Sequence, residues 1–139
     1  METVKNIQEV AELKQRVIAL ETKVLKPELT NLKVIPLLYE WYKVIAVGID
    51  DFPLKDTTEY RQIFMYCILM HYCPRTLVYG CMIRGLRQSI AELFNLSPSH
   101  ISNLAANISF YYDNYSKFKN DCDAVLAELM LKIELNELS

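Results

Sequence analysis

Glycine and proline are scarce in this sequence: three glycines and five prolines in 139 residues. With so few breakers the chain is expected to run in long helices, and its three isolated glycines cannot build a loop that cradles phosphate. Long hydrophobic runs are missing too. No stretch approaches the roughly 18 apolar residues of a membrane-spanning helix, and the N-terminus METVKNIQEV has no signal-peptide hydrophobic region. A soluble, cytoplasmic protein with no membrane association is expected. His71 and His100 do not form a pair, and Asp50-Asp51 reads as a solvated loop. No catalytic signature remains, so a non-enzymatic protein is expected.

Cysteine is present but in the wrong pattern for a metal or a disulfide framework. Cys67, His71 and Cys73 invite a zinc reading, yet on a helix residue 73 points away from the face shared by 67 and 71. No CxxC pair completes a tetrahedral site. Cys67, Cys73 and Cys81 sit among aliphatic and aromatic residues and read as reduced core thiols. No metal and no cofactor are expected.

What the chain does contain is a globular composition, 52% hydrophobic and 23% charged, enough for a real core. The net charge of −2 is unevenly spread. Between Thr57 and Asn120, Arg61, Arg75, Arg84, Arg87, Lys117 and Lys119 stand against Glu59, Glu92 and Asp113. The acidic excess therefore lies in the flanks, and the middle of the chain is basic.

Residues 3–25 carry an apolar seam, Val10, Leu13, Val17, Leu20 and Val24, with valine at heptad position a and leucine at d. β-branched a with leucine d favours parallel two-stranded coiled coils. Glu9 and Arg16 at g face Lys14 and Glu21 at the following e of a parallel partner. Residues 1–26 are therefore expected to be an oligomerisation helix, and 27–139 a helical domain. In that domain Pro27 is expected to open a helix through residue 47, kinked or split at Pro36. Asp56-Thr57-Thr58-Glu59 reads as a capping box with Asp56 as N-cap. It opens EYRQIFMYCILMHY, apolar on most sides and thus central. RTLVYGCMI should form a short helix ending near Arg84-Gly85, and SKFKNDCDAVLAELMLKIEL an amphipathic last one. Tyr111, Tyr115 and Phe118 are spaced to cover a core-facing stripe. No alternating run long enough for a strand occurs, so the fold class is all-α, a helical bundle.

The stretch RQSIAELFNLSPSHISNLAANI, residues 87–108, breaks one helix at Asn95 and restarts it at Pro98. Ala91 is a small residue suited to a close helix crossing, flanked by Ile90 and Phe94. Asn95 tolerates the left-handed conformation, Leu96 is placed to plug the corner, and Ser97-Pro98 is an N-cap followed by a first helical residue. Ile101 and Leu104 face inward. This pattern resembles the helix-turn-helix DNA-binding superfamily over about twenty residues. With the preceding apolar helix and the Cys73-Pro74 turn it is similar to Trp-repressor-like and replication-initiator DNA-binding domains, such as occur in bacteriophages and mobile elements. The resemblance implies that the second helix enters the major groove.

The outward residues Ser99, His100, Ser102, Asn103 and Asn107 are short and polar with no acid among them. They suit base-edge and phosphate contacts, with Arg75, Arg84 and Arg87 as phosphate anchors. The expected partners are double-stranded DNA and further copies of the chain. The expected role is a regulator or a replication or packaging factor; the alternative is a structural or assembly protein such as a virion component.

Overall fold

The computed structural model describes the backbone of residues 2–24 and 26–138 and the side chains of 3–17 and 26–138. Among the described residues every regular element is helical, so the fold is all-α. The helices are α1 (Glu2–Val24), α2 (Ile35–Val47), α3 (Thr58–Tyr72), α4 (Arg75–Tyr79), α5 (Leu86–Phe94), α6 (Pro98–Ala106), α7 (Ile108–Asn114) and α8 (Ser116–Leu135). No described helix is long and apolar enough to cross a membrane.

α3 is the central helix. Tyr60, Ile63, Phe64, Cys67, Ile68, Leu69 and Tyr72 are all buried in it, as a sequence apolar on most sides requires. It packs along α8, whose buried stripe is Phe118, Cys122, Val125, Leu129 and Ile133 at spacings of three and four. An aromatic cluster fills the space among α2, α3 and α5. Tyr39 meets Phe64 and Phe94 edge-on at 5.0 and 5.6 Å, and the Tyr42 hydroxyl donates to the Tyr60 carbonyl at 2.6 Å. Burial pushes the Tyr42 phenol far above its ordinary pKa and Tyr60 up to about 12, so both phenols stay neutral.

Four local readings need correction. Residues 26–31 are not helical: Leu29 is buried, and the N–H groups of Glu28 and Leu29 both donate to the His71 carbonyl at 2.9 Å. That carbonyl lies in the last turn of α3, where the helix offers it no partner. The Tyr72 hydroxyl ties down the same segment through the Asn31 carbonyl at 2.7 Å. α2 then starts at Ile35 with Pro36 in its first turn, so this proline begins a helix and does not kink one. The N-cap of α3 is Thr57, whose Oγ1 accepts from the Tyr60 N–H at 3.3 Å; Asp56 sits outside at φ +66°. α4 stops at Tyr79, because Gly80 turns left-handed at φ +81°.

His71 is buried, with Nδ1 3.2 Å from Glu28 Oε2 and Nε2 without a partner among the described residues. Desolvation pushes its pKa below 6.5, partly offset by Glu28. Cys67, Cys73 and Cys122 are buried free thiols, but Cys81 is exposed and not part of the core. The aromatic segment is divided: Phe118 is buried, Tyr111 half-buried and Tyr115 exposed.

α1 differs from the rest of the chain. Residues 3–17 are exposed throughout, including Val10 at 51%, Leu13 at 57% and Val17 at 52%. The side chains of Leu20, Glu21 and Val24, which complete the expected seam, lie outside the described residues.

Candidate nucleic-acid interface

The corner between α5 and α6 is set by three residues. Asn95 adopts φ +56°, ψ +47°, one of the few non-glycine residues suited to that region. It closes α5 with paired bonds: Leu96 N–H to the Ala91 carbonyl at 3.0 Å and Asn95 N–H to the Glu92 carbonyl at 3.3 Å. This is the helix-ending motif in which a left-handed residue satisfies two orphan carbonyls. Ser97 then caps α6 by accepting the His100 N–H at 3.2 Å, with Pro98 in the first turn. Ala91, 2% exposed, lies beneath the corner with Ile90, Phe94, Ile101 and Leu104. α6 is also fixed to the centre of the fold, since the buried Gln62 donates through Nε2 to the Leu104 carbonyl at 3.1 Å.

With Ile101 and Leu104 directed inward, steps of 100° per residue place Ser99, Ser102, Asn103 and Ala106 on the outward band. His100 and Asn107 are exposed but sit toward the far flank. Asn107 is also the residue on which α6 ends and α7 begins, so the outward helix is shorter than the sequence pattern implied. There is no acidic side chain on α6.

On the other flank of α6 lies a cleft of about 810 Å³, walled by α4, the loop after it and the start of α5. Arg84, Arg87 and Ser102 all line it, and Arg87 Nη1 donates to Ser102 Oγ at 2.9 Å. The structure therefore brings these three candidate residues together. Arg75 is not with them: it is exposed in the first turn of α4, its guanidinium 6.0 Å from the Tyr79 ring centre.

Two left-handed glycines shape the loop. Gly80 ends α4, and Gly85 precedes α5 at φ +87°. A Cβ on Gly85 would lie 3.1 Å from Leu32 Cδ1, so a side chain there would meet both strain and crowding. A helix through residues 80–83, as the sequence pattern predicts, would hide Met82 and Ile83, which the structure places in the cleft wall. The available signal was the glycine pair bracketing four residues.

Among the described residues, no group of three or more His, Cys, Asp or Glu side chains converges as a metal site requires. No protein-family model matches the chain, and no curated protein or solved structure matches it.

Proposed function

We propose that the chain is a non-enzymatic, helix-turn-helix DNA-binding protein that works as a regulator or as a replication or packaging factor of a phage or mobile element. α6 lies in the major groove in this reading, with Ser99 and Asn103 on base edges. Arg84 and Arg87 meet the phosphates, and Ser102 completes the contact beside Arg87. The observation that carries it is the Arg87–Ser102 hydrogen bond at 2.9 Å. It sets a permanent cation against the acid-free face of a short, capped helix, next to the tight Asn95 corner. A merely solvated face more often carries Glu–Lys pairs at i,i+4. Asparagine offers a bidentate donor–acceptor pair for an adenine edge.

Self-association through α1 belongs to the same proposal. An amphipathic helix with exposed Val10, Leu13 and Val17 leaves apolar surface in water that a second copy covers. The a/d choice and the Glu9–Lys14 charges favour a parallel pair. A dimer also suits a DNA-binding chain of this size, since two-fold proteins read two half-sites.

The exposed α1 stripe favours a second reading as well, an assembly protein such as a virion component that reads no base sequence. Binding of the full chain to duplex DNA at two salt concentrations separates them. Phosphate-driven binding weakens steeply with salt. An assembly protein shows neither binding nor slope, and that result would replace the first reading with the second.

A further inference from the structure

The cleft beside α6 has the composition of a small-molecule site. Its volume, about 810 Å³, falls inside the range of roughly 300–1,000 Å³ typical of ligand pockets. Leu77, Met82 and Ile83 line it with apolar side chains, and α6 contributes the small residues Ala105 and Ala106. Arg84 and Arg87 supply two permanent positive charges, and none of the described residues lining the cleft is acidic. An apolar wall with uncompensated guanidinium groups selects one ligand class: an apolar body carrying an anionic head. Arginine's planar fork suits a carboxylate, sulfonate or phosphate head, which it can hold by two parallel bonds.

The walls are held in place without a ligand. Ser109 Oγ donates to the Leu77 carbonyl at 2.6 Å, tying α7 to α4. Thr76 Oγ1 donates to the Cys81 carbonyl at 2.9 Å, pinning the loop to α4. Gly80 and Gly85 fix both ends of the loop in conformations that few other residues adopt. A cleft framed in this way spends little on ordering when it binds.

We propose that this cleft binds an amphipathic anion and that its occupancy weakens the hold of α6 on DNA. The second half rests on the DNA-binding reading. The coupling is direct, because the cations that recognise the ligand head are the ones assigned to DNA phosphate. An anionic head on Arg87 draws its guanidinium from Ser102 and neutralises it toward DNA. Antagonism of this kind is reciprocal, so DNA must weaken the ligand by the same factor.

The test uses the full chain with anilinonaphthalene sulfonate as an amphipathic anion and phenyl naphthylamine as its uncharged counterpart, both followed by fluorescence. Arg84→Gln with Arg87→Gln should weaken the sulfonate about tenfold or more, the loss of one charge-assisted pair. The uncharged probe should be little affected. Both arginines are exposed, so the fold is not at risk. Met82→Glu, which sets a negative charge in the apolar wall, should also repel the sulfonate. Equal sulfonate affinity in parent and variants overturns the cleft as a site.

A second titration measures the parent's affinity for a short duplex with and without saturating sulfonate. A loss of affinity that disappears in Arg87→Gln supports the coupling. Unchanged affinity overturns it, even if the cleft binds. If the parent binds no duplex while sulfonate binding still depends on arginine, the DNA reading falls and the ligand site stands.

Discussion

Leu96 donates its backbone N–H to the Ala91 carbonyl at 3.0 Å, across a turn whose left-handed residue, Asn95, is not glycine. The bond fixes where α5 stops and where α6 starts, so the corner is testable one residue at a time. Asn95→Ala should destabilise the fold by about 1 kcal/mol, the cost of an ordinary side chain in that conformation. Asn95→Gly should melt within a few tenths of a kcal/mol of the parent. Equal losses for the two variants in thermal unfolding would show that the conformation at 95 does not set the corner.

Ala91 is 2% exposed where the two helices come together. Ala91→Leu adds buried volume with no space to take it, and should cost on the order of 1–3 kcal/mol. An unchanged melting temperature would mean that the α5–α6 crossing is loose at this point.

The α5–α6 corner was legible in the sequence because its determinants are local. Asn95, Ser97 and Pro98 act within a few residues of themselves, and Ile90, Ala91, Ile101 and Leu104 announce their burial by spacing. The centrality of α3 was legible for the same reason. Segment 26–31 was not legible, since its conformation depends on a carbonyl at residue 71, more than forty positions away. Pro27 and Pro36 look equivalent as helix starters, and only the burial of Leu29 and the bonds to α3 distinguish them. In the candidate site, exposure of Ser99 and Asn103 followed from helical period. The cleft did not, because it needs α4 to end at Gly80 and the loop to fold back against α6.

Buried His71 makes stability depend on pH. Its neutral form, with the proton on Nδ1 facing Glu28, leaves only a lone pair unsatisfied at Nε2. Protonation would bury an N–H with no acceptor, and desolvation already holds the pKa below 6.5. The unfolded chain therefore takes up the proton first as pH falls through about 6.5. The stability tied to this group is present above that pH and is lost below it. The melting temperature should decline from about pH 7 to pH 5 more steeply in the parent than in His71→Leu. Parallel slopes would remove His71 from the acid response.

Exposed α1 predicts self-association. Leu13→Glu with Val17→Glu places charge on the seam without touching any described core residue. Sedimentation should show the parent as an oligomer and the variant at the 16.2 kDa of one chain. Identical masses for parent and variant would end the coiled-coil assignment.

Selection of a binding site from random duplexes, repeated with Asn103→Ala and Arg87→Ala, tests the placement of α6 on DNA most directly. The parent should enrich a defined sequence. Asn103→Ala should lose discrimination at one base pair by about 1–3 kcal/mol. Arg87→Ala should weaken all duplexes alike and lower the salt slope by about one unit. If no sequence is enriched, or if both variants select and bind as the parent does, α6 reads no DNA and the corner at Asn95 is only a turn in an assembly protein.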